Sequence, residues 1–147
     1  MTPLDAAQVR AWLRAAGTGA LATTATAERV RGFPFATAVP LVWHNGAAIM
    51  YVADIAEHGR NLAADSRCSL LIAERGLADP TLGWRITLVG EATALAGTAS
   101  SDALDAFCAH HPQTQRLPGF VVRALRPQHA RVIVGFGHMG WLRGDAL

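Results

Sequence analysis

Lysine is absent from this sequence: all 13 cationic side chains are arginine. Charge as a whole is scarce, at 16% of 147 residues, and the formal balance is only +2. That balance excludes the strongly basic surface on which nucleic-acid binding depends. An all-arginine set suits bidentate contacts to phosphate or carboxylate, and an arginine-rich genome would produce the same bias. No apolar run approaches the ~20 residues that cross a bilayer as a helix, so no membrane span is expected. The opening residues lack a basic start followed by an apolar stretch, so no secretory leader is expected and the cytoplasm is the expected location. Cysteine is limited to Cys68 and Cys108, both in apolar settings and without Cys-x-x-Cys spacing. They read as two buried thiols in a reducing compartment. His110-His111 has no carboxylate or third histidine at ligand spacing, so no metal site is expected there; a contact with the helix C-terminal dipole is the simpler reading. No repeat, low-complexity segment or linker divides the chain, which reads as one domain over residues 1–147.

What the sequence does have is apolar surface. Hydrophobic residues make up 51% of it. So little charge spread over so short a chain leaves apolar surface for a subunit interface, and a homodimer is expected. The first helix opens at Thr2-Pro3, carries Val9, Trp12, Leu13 and Ala16 at helical spacing, and ends at Gly17. Strands are expected at Gly19–Thr24, Phe35–Trp43, Ile49–Ala53, Ser69–Ala73, Trp84–Leu95, Phe120–Leu125 and Ala130–Val134, with a bulge or bend at Gly90. A helix capped by Ser100 or Ser101 runs to Ala109, with Leu104, Phe107 and Cys108 on one face. The last stretch, Gly135–Leu147, is a glycine-rich tail holding Phe136, His138 and Trp141. About seven short strands with three helices give a closed α+β barrel, mainly β.

The stretch Arg31–Leu71 organises the rest. Asn45-Gly46 between two apolar runs is a strong hairpin signal, because both central residues of a type I′ turn need positive φ. After the second run, Glu57-His58-Gly59-Arg60-Asn61-Leu62 opens a helix. His58, Asn61 and Leu62 share one face at i, i+3 and i+4, and Arg60 points elsewhere. A helix start with nearby cations attracts phosphate. An ordinary amphipathic helix with a solvated polar side accounts for the same spacing. The segments Gly-Phe-Pro-Phe-Ala-Thr-Ala-Val-Pro-Leu and His-Gly-Arg-Asn-Leu-Ala-Ala-Asp-Ser-Arg-Cys-Ser-Leu-Leu-Ile resemble the flavin-binding split-barrel proteins related to pyridoxamine phosphate oxidase, and most nearly the short haem-utilisation-type members. The residues that carry the likeness are Gly32, Pro34, Phe35, Thr37, His58, Asn61, Leu62, Asp65, Arg67, Ser69 and Leu70, and the later WRITLVGEA and VGFGHMGWL segments extend it over most of the chain.

The resemblance implies a split β-barrel with flanking helices that dimerises and holds FMN at the interface. His58, Arg60 and Asn61 would clamp the FMN phosphate. Pro34, Phe35, Ala36 and Thr37 would lie along the flavin ring, and Val52 and Ala53 would continue that wall. His58 stands where many relatives carry lysine, and a histidine is only partly charged at neutral pH. Arg85 would face the ligand cleft; a strand-end ion pair with Glu91 or Asp79 explains it equally well. His138 is the candidate haem ligand near the C-terminus. The functions implied are an FMN-dependent oxidoreductase of unknown substrate, a haem-binding or haem-utilisation protein, or a non-catalytic flavin store or sensor. No nucleophile–base pair is evident around Ser66, Ser69 or the acids.

Overall fold

A computed structural model describes residues 3–147. In chain order its elements are α1 (Ala6–Ala15), β1 (Thr18–Thr24), a 3-10 turn (Glu28–Val30), β2 (Pro34–Pro40), β3 (Val42–His44), β4 (Ala47–Ala53), α2 (Glu57–Ala64), β5 (Arg67–Ala73), β6 (Arg85–Ala94), α3 (Gly97–His110), β7 (Phe120–Gly135) and β8 (His138–Arg143). All strand pairs are antiparallel, in the order β2-β1-β5-β6-β7-β4-β3, with β8 on the far half of β7. The sheet curls because one continuous segment, Pro34–His44, supplies both of its ends: β2 pairs with β1 and β3 pairs with β4. Leu41 marks the bend, where its N–H leaves the sheet to donate to Gly17 O at 2.9 Å. Between β2 and the second half of β4 no ladder forms, and there the barrel is split. The expected α+β split barrel is the fold observed. Leu21, Leu41, Leu70, Ile86, Leu88 and Leu125 fill its core, and α1 closes one end with Val9 and Leu13.

Local chemistry explains most of the elements. The Asn45-Gly46 hairpin has φ of 50° and 73° at its two central residues, as a type I′ turn requires. Asp5 caps α1, its carboxylate accepting from Ala7 N and Gln8 N; the cap expected at Thr2 lies outside the described residues. The bulge at Gly90 is present: Val89 pairs with His129 and Gly90 with Pro127, leaving Gln128 as the extra residue. Four expectations give way. Phe35–Trp43 is two strands, not one. The two final strands are one 16-residue strand, since Pro127 sits at the bulge, where a missing N–H costs no ladder bond. The glycine-rich tail, to which no strand is assigned from sequence, forms one: the Phe136-Gly137 turn, with Gly137 at φ 75°, folds β8 back onto β7. Finally, α3 begins at Gly97, and the Ser101 hydroxyl donates back to Gly97 O rather than capping the helix.

Candidate functional site

The split leaves a cleft of about 200 Å³ between the unpaired edges of β2 and β4. Val39 and Pro40 line one side, Met50, Tyr51 and Val52 the other, with Phe120 and His58 at the ends. The wall is aromatic: Tyr51 stacks on Phe120 with ring centroids 4.8 Å apart. The Tyr51 hydroxyl is fixed from outside, donating to Leu117 O and accepting from Leu117 N, each at 3.2 Å. No arginine lines this cleft among the described residues. Thr37 shares the face of β2 that carries Val39, two residues along, and its hydroxyl is buried without a hydrogen-bond partner. A buried hydroxyl left unpaired is costly, and a water or a ligand atom reaching it would relieve that cost.

The helix α2 sits at the mouth. Gly59 is a packing requirement, since a Cβ there would run into the Ala53 carbonyl. His58 is half-buried in the cleft, and burial lowers its pKa. Burial thus works against a charge on the ring, where the sequence suggested a partial one. Asn61 is 1% exposed. Its Oδ1 accepts from Thr26 N and Thr26 Oγ1, both at 3.0 Å, and its Nδ2 donates to Thr23 Oγ1 at 3.0 Å. The face shared by His58, Asn61 and Leu62 is thus the packed face of the helix. Of the three residues expected to clamp phosphate, Arg60 alone is exposed.

The other sequence-derived candidates scatter. Val52 and Ala53 line the cleft. Phe35 faces a separate open groove of about 800 Å³ with Val30 and Glu57. Pro34 and Ala36 alternate to the outer, exposed face of β2. Arg85 pairs with neither Glu91 nor Asp79; its guanidinium donates to Thr81 O at 2.5 Å and Gly83 O at 3.2 Å, beside Phe136 and Met139. His111 lies 2.8 Å from Leu41 O through Nε2 and packs on Phe107. His138 lines a groove of about 270 Å³ between α1 and β8 with Gln8 and Trp12. That groove and the cleft lie at opposite ends of β7, at Val134 and Phe120 respectively. Sequence reading missed Tyr51 and Phe120. The one tyrosine of the chain, placed late in an apolar strand, was the available signal.

The chain matches the family described as pyridoxamine 5'-phosphate oxidase over residues 6–133. It is 33% identical over 114 residues to the chloroplastic non-canonical heme oxygenase HOZ of Arabidopsis thaliana, covering 77% of this chain and 34% of that protein. Among solved structures, a heme binding protein from Mycobacterium smegmatis superposes with a TM-score of 0.83 at 34% identity, over 99% of this chain and 61% of that one. HutZ, a heme storage protein from Vibrio cholerae, shares the fold at a TM-score of 0.68 and 19% identity, over 90% of this chain and 97% of that one. The chain thus spans about a third of the Arabidopsis protein and three-fifths of the mycobacterial one. With a split barrel closed by its own β2–β3 segment and a family match running from α1 into β7, the chain belongs to the pyridoxamine 5'-phosphate oxidase family.

Proposed function

We propose that this protein binds haem, with the porphyrin against the β2–β4 cleft and His58 as the iron ligand. The observation that carries the reading is a half-buried imidazole, its pKa lowered by burial, in a cleft lined by Tyr51 and Phe120 and by no arginine. A neutral ring offers iron a lone pair, and apolar walls suit a porphyrin face. Arg60 is exposed two residues along the same helix, and its long side chain would have to reach back around the helix to meet a propionate. The haem named in two relatives that are each at least 33% identical to this chain supports the same reading. At about 200 Å³ the cleft is smaller than the roughly 300–1,000 Å³ of a complete small-molecule site. A partner subunit would therefore complete it, and the homodimer is part of the proposal. Bound haem would supply iron-centred oxygen or electron chemistry; the chain itself supplies the ligand, the apolar wall and exclusion of water.

A second reading is FMN, with oxidoreductase activity. The buried, unpartnered Thr37 hydroxyl and the unpaired strand edges favour it, because a flavin's polar rim needs such partners. Haemin and FMN titrations of the purified protein decide between the two. Haemin should give a Soret band that His58→Ala shifts or removes and His138→Ala leaves in place. If His138→Ala alone removes the band, the iron lies in the α1–β8 groove and the cleft assignment is wrong. Tight FMN binding without haemin binding establishes the flavin reading instead. In that case Arg60→Ala should weaken FMN roughly ten- to hundredfold and spare riboflavin.

A further inference from the structure

A second cavity, sharing no residue with the cleft, lies under the C-terminal end of α1. Its volume is about 160 Å³. Two indoles line it: Trp12 of α1 stacks on Trp84, just before β6, with centroids 4.8 Å apart and planes 6° from parallel, so the pair offers its edges and outer faces. Ile72 and Ala73 of β5 form the floor, Ala16 closes the helix side, and Arg75 stands at the rim. An apolar cavity of about 150 Å³ is large enough to hold one benzene ring. An aromatic ring packs favourably on the edge or the outer face of such a pair.

Charge at the rim selects the rest of the ligand. Arg75 is exposed, and among the described residues no carboxylate lies within ion-pair distance of it. The neighbouring Glu74 is turned away, its carboxylate lying over Gly83. The end of a helix repels anions, so an anionic group would avoid α1 and point to the β5 side, where Arg75 stands. Guanidinium and carboxylate match in shape as well as charge.

We propose that the Trp12–Trp84 cavity binds a small aromatic monocarboxylate, its ring against the indoles and its carboxylate on Arg75. The site is independent of haem or flavin binding in the cleft. Benzoate is the probe, and the four tryptophans of the chain give the readout. In the full chain labelled with 15N, millimolar benzoate should shift the indole N–H signals of Trp12 and Trp84 saturably and leave Trp43 and Trp141 in place. Benzamide, isosteric and neutral, should bind roughly tenfold more weakly. Arg75→Ala, a surface change, should erase the preference of benzoate over benzamide. Ala73→Phe should fill the cavity and abolish the shifts while the haemin titration is unchanged. Absence of saturable shifts at Trp12 and Trp84, or equal binding of benzoate and benzamide by the unaltered protein, overturns the proposal. So does a preference for benzoate that survives Arg75→Ala.

Discussion

Asn61 ties three pieces of chain together through one side chain: α2, the end of β1 at Thr23, and the following turn at Thr26. Replacing it with alanine strands the Thr26 N–H and leaves a void beside Thr23, which is 3% exposed. Leaving buried polar groups unsatisfied costs roughly 1–3 kcal/mol. Asn61→Ala should therefore lower stability by about 2–3 kcal/mol and the melting temperature by about 5–10 °C. Thermal and urea unfolding check this; an unchanged midpoint would place the asparagine outside the fold's framework. Spacing in the sequence put Asn61 on the same helix face as His58 correctly. It could not say that this face is the packed one, because the partners Thr23 and Thr26 lie 38 and 35 residues away. The thiols divide in the same way. Burial pushes Cys68 up to about 11, while Cys108 is half-exposed. At about pH 8 a disulfide reagent should modify Cys108 quickly, and Cys68 only once urea opens the barrel. Two equally fast thiols would show that β5 is loosely packed at Cys68.

At the scale of elements, α2 owes its position to a glycine. Gly59 lets the helix lie against the Ala53 carbonyl at the end of β4, and this contact sets where Ala56 and His58 meet the cleft. Gly59→Ala raises helix propensity, which alone would stabilise by about 1 kcal/mol. The clash with backbone should win, giving a net loss of about 1–3 kcal/mol and weaker haemin binding, because α2 must shift outward. Urea midpoints and the Soret titration measure both effects; a stabilised variant would mean that the contact yields without cost. The exposed control Ala63→Gly should lose only about 1 kcal/mol and bind haemin normally. The elements legible in the sequence were those with local signals. Asn45-Gly46 announced its hairpin, and Gly90 announced the bulge by needing room beside Arg126 O. Those misread were decided by pairing. Arg126-Pro127 looks like a strand break, yet β6 on one side carries β7 through it. Phe136-Gly137 carries weaker turn chemistry than Asn-Gly, and β8 is held by a partner strand that is itself nonlocal in its contacts. The candidate site was legible as a region, from the motif around α2, but its aromatic wall of Tyr51 and Phe120, 69 residues apart, comes from strands joined at the Tyr51–Val122 and Ala53–Phe120 pairings.

For the whole molecule, the question is what covers the outer face of the sheet. Ala38 of β2, Ala20 of β1 and Leu71 of β5 lie in register, and Ala36 of β2 and Val89 of β6 sit two residues along on the same face of the four neighbouring strands. The three alanines are exposed, Leu71 is 41% exposed and Val89 is 37% exposed. A face of small and apolar residues of this kind, with the charges of Arg67 and Glu91 at its margin, suits a second copy of itself. A stable interface needs roughly 800 Å² from each partner, which a four-strand face can supply. Covering it would also bring a second chain to the edge β2, where the cleft is too small to enclose a ligand by itself. Sedimentation at micromolar concentration should therefore give twice the chain mass of 15.5 kDa. Leu71→Arg sets a charge at the middle of the face, opposite its own copy or an apolar neighbour, and should yield a folded monomer with native circular dichroism. That monomer should bind haemin at least tenfold more weakly, because half of the site is lost with the partner. A Leu71→Arg dimer of full affinity would move the interface to another face. A wild-type monomer that binds haemin tightly would leave a single β2–β4 cleft as the whole site.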